Sequence, residues 1–312
     1  MGSVNMLRTR KPFENSENIG AFADISFEIA GDMEAGTESI LFDTRIHYVD
    51  EGDGIPLLLV HGIGQSLYTW RHTISYFAKN GFRVIAPDLA GFGYSGHPNI
   101  YYTVEEQALV LSALLDELEI PQVHIIAFST GCLSALCIAA EQPARVLRLV
   151  LASPGGPNEH YPFAMRALVS WAGRKLFPLI VSDSTIKSLL HGMYFDATKL
   201  TDEVAAGYAQ PYRSADVREA LVMSLMHFDD EYVRSLLRVI QQPTLVISGM
   251  SDKMHPDNAV RAYAVAIPGA RHTRIRNCGH FVHEEKPDKF NAEALNFFKE
   301  TVYMGFGRTR SI

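Results

Sequence analysis

Hydrophobic and polar side chains follow two different patterns along the chain, and both predict β-strands. Residues 22–29 and 44–49 alternate between apolar and polar side chains, which is typical of strands with one buried face. Most later strand-like segments are continuously apolar and rich in β-branched residues, as in strands buried on both faces. These further strands are predicted over residues 56–60, 83–87, 123–128, 146–152, 243–248 and 272–276.

Helical periods separate the strands. We predict helices over residues 68–79, 103–118, 130–140, 258–266 and 286–302, and Thr103 with Glu106 forms a capping box for the second. Repeated alternation of strand and helix is the pattern of a parallel sheet covered on both faces. The predicted fold class is therefore α/β, with a mostly parallel, doubly wound sheet.

The interval from residue 155 to residue 240 has a different character. It contains no convincing strand and shows helical periods over residues 162–176, 184–194, 202–209, 216–226 and 231–240. We therefore predict an inserted, all-helical cap at 155–240. The remaining boundaries are an N-terminal arm at 1–21 and a core formed by 22–154 and 241–312.

Composition narrows the class of protein. A chain of 312 residues with 47% hydrophobic side chains can bury a large core. Its formal net charge of -7 argues against general binding to nucleic acid or to an acidic membrane. The three cysteines are an odd count, and neither a signal segment nor a membrane-spanning run is evident. We expect a cytoplasmic monomer or homodimer with a small-molecule partner.

Ser129 occupies the position around which the other motifs are arranged. It stands between the apolar strand 123–128 and a helix of small and apolar residues. A serine on so sharp a turn stands clear of both elements, and amides at the start of the helix point towards whatever binds its oxygen. Such a nucleophile elbow usually reads Gly-x-Ser-x-Gly. Residues 127–131 read Ala-Phe-Ser-Thr-Gly, so Ala127 is a mild departure.

Two further residues complete a candidate triad. Asp252 and His280 also follow predicted strands, and the chain order is Ser, Asp, His. Strand ends on one edge of a parallel sheet bring distant residues together. A serine hydroxyl needs a base to take its proton, and that base needs an acid to orient it. The predicted catalytic residues are therefore Ser129, Asp252 and His280.

With the elbow and this order of Ser, Asp and His, the chain resembles the α/β-hydrolase superfamily, of the type that carries a helical cap. The resemblance extends over about residues 40–300. It implies that the backbone amides of Ile63 and Thr130 form an oxyanion hole, where losing one donor typically costs about a hundredfold to a thousandfold in turnover. Its motifs are His61-Gly62, the loop 88–95, the elbow, Gly249 with Asp252 and Pro256, and Gly279-His280 with Glu284 and Pro287.

Neighbouring polar residues also have structural interpretations. Asp229 and Asp230 are the alternative positions for the acid. His283 would orient its neighbours or lie at the surface, His61 would make structural hydrogen bonds, and Asp88 would brace its loop.

No metal or cofactor is predicted. His280, His283 and Glu284 do not follow the His-Glu-x-x-His spacing of a zinc helix, and the Gly91/Gly93 loop lacks the rest of a nucleotide-binding fingerprint. Aromatic residues near the motifs, Phe128, Trp171 and Phe281, are candidate substrate contacts.

The leading hypothesis is a cofactor-independent serine hydrolase that cleaves an ester, or a related acyl bond, of a small to medium hydrophobic substrate. Two alternatives stay open. Carbon-carbon bond hydrolases of dienoates resemble this chain, although their usual Ser-Met-Gly-Gly elbow reads Ser-Thr-Gly-Cys here. Some hormone receptors also resemble it, keep the triad and hydrolyse their ligand slowly.

Overall fold

A computed structural model describes residues 20–31, 38–155, 170 and 181–300. Eight strands form one sheet within this part of the chain. Their bounds are β1 Ala21–Ile29, β2 Ile40–Glu51, β3 Ile55–Val60, β4 Phe82–Pro87, β5 Val123–Phe128, β6 Val146–Ala152, β7 Thr244–Gly249 and β8 Arg271–Ile275.

The strand order is β1-β2-β4-β3-β5-β6-β7-β8. β1 pairs antiparallel with β2, and β2 with β4, whereas every pair from β4 to β8 is parallel. The central strand β5 is buried along its whole length, while β1 alternates between buried and exposed positions. The predicted α/β class and mostly parallel sheet are confirmed, because side-chain patterning reports directly on which faces are covered.

Ten described α-helices accompany the sheet. Their bounds are α1 Ile74–Ala78, α2 Val104–Glu117, α3 Gly131–Glu141, α4 Asp183–His191, α5 Asp202–Ala209, α6 Ala215–Met226, α7 Glu231–Leu236, α8 Asp257–Ala266, α9 Val282–Glu285 and α10 Pro287–Lys299. The predicted capping box is present, with Thr103 and Glu106 bonded reciprocally at the start of α2. None of the described helices is long and apolar enough to cross a membrane.

The single helix predicted over residues 68–79 is wrong. The segment forms a 3-10 turn, Leu67–Trp70, and then the short helix α1. Tertiary hydrogen bonds compete with a continuous helix here, because the side chain of Asn291 donates to the carbonyl of His72 and accepts from the hydroxyl of Thr73. The sequence period alone could not show these contacts.

Helices α4 to α7 lie in the chain between β6 and β7, within the interval predicted to form a cap. The helix predicted over residues 162–176 falls almost wholly outside the described residues, as do residues 1–19 of the predicted arm. The domain boundaries therefore stay a prediction.

Candidate active site

The turn between β5 and α3 holds Ser129 in a strained backbone conformation. Its φ angle is +54°, in the left-handed region that residues other than glycine rarely adopt. The neighbouring Gly131 leaves no room for a side chain, since a Cβ atom there would lie 2.3 Å from the carbonyl oxygen of His61. Strand, turn and helix thus approach as closely as an elbow requires, with Ala127 fully buried.

The three predicted triad residues lie in hydrogen-bonding order. His280 Nε2 is 3.2 Å from Ser129 Oγ, and His280 Nδ1 is 2.8 Å from Asp252 Oδ2. All three side chains are buried. An aspartate that accepts from Nδ1–H leaves Nε2 as the ring's acceptor, directed at the serine hydroxyl. This arrangement can remove the proton from Ser129 during nucleophilic attack.

Asp252 is fixed from its other side by the backbone. Its Oδ1 accepts the amides of Met254, at 2.8 Å, and His255, at 2.9 Å. Burial is the largest single influence and would raise the pKa of Asp252, but the charge and hydrogen bond of His280, together with His255, hold that pKa below its ordinary value. The alternative acids are engaged elsewhere: Asp230 pairs with Arg234 and Asp229 accepts from the Glu231 amide.

The two amides of the predicted oxyanion hole are in different states. Ile63 N donates to Thr130 Oγ1 at 2.6 Å. Within the described residues, no hydrogen bond is formed by the Thr130 amide. One candidate donor is thus open to a ligand, whereas the other is already used by a side chain.

A cavity of about 80 Å³ opens beside Ser129 and His280. Its polar lining includes Gln65, Tyr208 and Tyr212. Phe281, one of the predicted substrate contacts, also lines it. Phe128, another, is fully buried and packs against the rings of His280 and Phe281 instead. Trp171 lies outside the described residues. Most of the remaining lining is aliphatic or methionine: Ile63, Ile186, Leu189, Leu190, Met193, Leu221 and Met254.

Two buried histidines near the triad, His61 and His283, have lowered pKa values. Burial lowers the pKa of His61, whose Nε2 accepts from the Leu89 amide and whose Nδ1 lies 2.9 Å from the Gly62 carbonyl. His283 is fully buried, and burial lowers its pKa to about 3. These contacts fit the structural hydrogen bonds predicted for His61 and exclude a surface position for His283.

A buried cluster around Glu284 was not predicted as a unit. The carboxylate accepts from Arg71, Thr69 and the hydroxyls of Tyr194 and Tyr208. Burial would raise the pKa of Glu284, but Arg71 and these donors lower it to about 2. Since Tyr208 comes from α5 and Tyr194 follows α4, the cluster joins these helices to the segments around residues 69–71 and 284. The sequence identified Glu284 as a motif residue but not the distant side chains that donate to it.

One group of side chains has the composition of a metal site. The ligand atoms of Asp252, His255 and His280 lie within 4.8 Å of one another. Asp252 Oδ2 and His280 Nδ1 are bonded to each other, however, and His255 Nδ1 lies 3.0 Å from the Ser153 carbonyl. The arrangement therefore fits a histidine-carboxylate pair better than a preformed metal centre.

The fold is one that a family of hydrolases shares. The model of the alpha/beta hydrolase fold family matches residues 55–287, and the chain belongs to that family.

Named relatives act on dienoates. The chain is 32% identical over 282 residues to a 2-hydroxy-6-oxononadienedioate/2-hydroxy-6-oxononatrienedioate hydrolase from Paraburkholderia phymatum, covering 85% of this chain and 93% of the relative. It is 30% identical over 278 residues to a 2-hydroxy-6-oxo-6-phenylhexa-2,4-dienoate hydrolase from Burkholderia cepacia, covering 83% and 93%. The solved structure of a meta-cleavage product hydrolase from Pseudomonas fluorescens superposes with a TM-score of 0.70 at 26% identity, covering 82% of this chain and 94% of that one.

Proposed function

We propose that the protein is a serine hydrolase in which Ser129 is the nucleophile, His280 the base and Asp252 the residue that orients the base. The observation that supports this most directly is the continuous chain of hydrogen bonds from Asp252 through His280 to Ser129, which ends at a cavity. The left-handed backbone of Ser129 adds to it, since such strain persists only where surrounding structure imposes it.

The proposed substrate is a 2-hydroxy-6-oxohexa-2,4-dienoate, and the bond cleaved is the one between C5 and C6. This replaces the ester hypothesis as the leading one, because two relatives named as dienoate hydrolases match this chain over 93% of their own length. Hydrolysis adds one water: C6 becomes a carboxylate, and C1 to C5 leave as a 2-hydroxydienoate.

The triad supplies the proton transfers for this reaction. When the 2-hydroxyl proton has moved to C5, the substrate is a 2,6-diketone and C6 is a ketone carbonyl. Ser129 Oγ attacks C6 while His280 takes its proton. Collapse of the adduct breaks the C5–C6 bond, the electron pair spreads to the C2 oxygen, and His280 returns the proton there. Water then attacks the acyl group on Ser129, with His280 as base again.

The cavity favours an apolar group on C6. Its wall is formed largely by aliphatic and methionine side chains from the helices between β6 and β7, such as Ile186, Leu190 and Leu221. A phenyl group gains from burial against such a wall, whereas a carboxyethyl group would lose its hydration. We therefore favour the 6-phenyl substrate over the nonadienedioate.

One observation favours a second candidate, the hydrolysis of a neutral ester. A dienoate carries a carboxylate, yet among the described lining residues none is lysine or arginine. An uncharged ester needs no such partner. The triad would act on it in the same way, with an alkoxide as the leaving group.

A direct competition between the two substrate classes tests the proposal. Turnover of 2-hydroxy-6-oxo-6-phenylhexa-2,4-dienoate, of the nonadienedioate and of p-nitrophenyl esters from acetate to decanoate would be measured with wild type and Ser129→Ala. We expect benzoate and 2-hydroxypenta-2,4-dienoate from the phenyl substrate, slower reaction of the dioate, and no turnover by the variant.

The other outcomes are equally informative. Repeated turnover of esters without dienoate cleavage would replace the leading proposal by the second candidate. Activity that survives in Ser129→Ala would remove Ser129 as the nucleophile. A single slow turnover followed by ligand retention would favour the receptor alternative.

A further inference from the structure

The second oxyanion donor is occupied by a side chain in this structure. Ile63 N lies 2.6 Å from Thr130 Oγ1, and Thr130 is also the residue whose own amide is the first donor. An amide that donates to a neutral hydroxyl must exchange that partner before it can stabilise a carbonyl oxygen. The two predicted donors are therefore not independent, because both involve Thr130.

The loop that carries Ile63 is held on several sides. Gly62 N donates to Gln65 Oε1 at 3.3 Å, and Tyr212 Oη donates to the Gly64 carbonyl at 2.5 Å. A Cβ atom on Gly62 would lie 3.0 Å from Ser129 Cβ, so loop and elbow are in close contact. Moving the loop to free the Ile63 amide would break these contacts. Rotation of the Thr130 side chain is the smaller change.

A second cavity, which Thr130 also lines, can accommodate the rotated hydroxyl. It has a volume of about 30 Å³, enough for one or two waters, and its lining includes Ile63, Thr130, Ser134 and Ser224. Ser224 Oγ is buried and makes no hydrogen bond to any described residue. A hydroxyl that leaves Ile63 can find a partner there, either Ser224 directly or a water between them.

We infer that Thr130 is a positioning residue that controls the second oxyanion donor. In the resting protein its hydroxyl accepts from Ile63 N. When the substrate carbonyl binds, the hydroxyl rotates into the second cavity and the Ile63 amide donates to the oxyanion. No bond to Thr130 is made or broken beyond these hydrogen bonds. The inference rests on the proposed function, since it needs Ser129 to form a tetrahedral adduct.

A valine substitution separates this role from a merely structural one. Thr130→Val keeps the shape of the side chain and removes the acceptor, so the Ile63 amide is available without an exchange. An alkyl trifluoromethyl ketone, which forms a tetrahedral adduct on an active serine, is the probe. We expect Thr130→Val to bind it about fivefold more tightly and to raise kcat by a similar factor with KM unchanged. Thr130→Ala, which also lacks the acceptor, should shift in the same direction.

Two further variants test whether the effect is specific to the Thr130 hydroxyl. Thr244→Val removes a buried threonine hydroxyl, bonded to the Gln242 carbonyl, at the start of β7, and should leave adduct affinity and kcat unchanged. Ser224→Ala removes the hydroxyl to which Thr130 would turn. It should weaken adduct binding when Thr130 is present but have no effect in the Thr130→Val background. A purely structural role for Thr130 would not produce a gain, nor this dependence on Ser224.

Failure of the inference is distinguishable from failure of the proposed function. If wild type forms the adduct, Ser129→Ala does not, and Thr130→Val binds equally or more weakly, the inference is wrong. The hydroxyl then has no part in the exchange or holds the amide in its working position. If wild type forms no adduct, Ser129 is not an active nucleophile, and the proposed function and this inference fall together.

Discussion

Two buried histidine-aspartate pairs in this molecule have nearly the same geometry and different surroundings. His47 Nδ1 lies 2.7 Å from Asp88 Oδ2, and His280 Nδ1 lies 2.8 Å from Asp252 Oδ2. All four side chains are buried. The hydrogen bond between histidine and carboxylate therefore does not by itself mark a catalytic pair.

The difference lies in what each pair faces. Asp88 also accepts the amides of Leu67, at 2.7 Å, and Tyr94, at 3.0 Å, so its carboxylate joins two loops to β2. The ring of His47 packs edge-on against Tyr94. His280 instead turns its second nitrogen towards Ser129 and the cavity. A proposed catalytic pair thus needs a candidate nucleophile and a cavity beside the histidine, and of these two pairs only the second has both.

The largest expected effect distinguishes the two pairs by activity. Asp252→Asn keeps the size of the side chain, but it can favour the wrong tautomer of His280 and cannot stabilise the imidazolium. We expect kcat to fall by about 10⁴-fold, as for the corresponding change in serine proteases, with little loss of stability. Turnover of the substrate established for wild type, together with a thermal melt, checks this. A fall of less than about tenfold would mean that Asp252 is not the orienting acid.

The matching change in the first pair should affect stability instead. Asp88→Asn removes the charge that accepts from His47 and two amides, and hydrogen bonds to a charged group are worth about 1.5–3 kcal/mol. We expect the free energy of unfolding to fall by about 2–3 kcal/mol, measured by urea titration, with kcat within about threefold of wild type. A large loss of kcat in a stably folded variant would instead place Asp88 in the catalytic machinery.

The strand ends explain why this much of the site was predictable. Ser129, Asp252 and His280 follow β5, β7 and β8, and parallel strands bring their carboxyl ends to one edge. Continuous apolar runs identify such strands because both faces are covered. The state of the Ile63 amide was not predictable, since a side chain 67 positions away in sequence occupies it.

The lining of the cavity shows the limit of sequence patterning. Helical periods correctly placed helices near α4, α5 and α6, but a period gives a buried face and not the element it packs against. Whether Leu190 or Leu221 reaches the cavity depends on how these helices dock. The cluster around Glu284 was equally hidden, because its four side-chain donors come from three separate segments, around residues 69–71, 194 and 208.

A third buried histidine sharpens the comparison through pH. The pKa of His283 is lowered to about 3 in the folded protein, against about 6.5 when unfolded. The unfolded state therefore binds a proton between these values that the folded state does not. The contribution of a neutral His283 to the free energy of unfolding is therefore complete above pH 6.5. It is lost as pH falls from 6.5 towards 3, by about 1.4 kcal/mol for each pH unit.

His283→Gln should remove this part of the pH dependence. Comparing the free energy of unfolding at pH 7.5 and 5.5, we expect wild type to lose about 1.4 kcal/mol more than the variant. His191→Gln, at an exposed position of α4, is the control and should follow wild type. Equal slopes for all three proteins would mean that His283 is protonated in the folded state or protected in the unfolded one.

The smallest effect concerns another buried carboxylate, that of Glu284. It accepts from four side-chain donors, whereas Asp252 accepts from one imidazole and two amides. Tyr194→Phe and Tyr208→Phe each remove one hydroxyl from Glu284 and leave Arg71 in place. Because the carboxylate stays paired, we expect each to cost only about 1 kcal/mol, or about 2 °C in Tm. Of these two tyrosines, only Tyr208 lines the cavity, so KM should rise in Tyr208→Phe and stay constant in Tyr194→Phe. Equal changes in KM for the two variants would show that the cluster acts on the cavity as one unit, through the docking of α4 and α5.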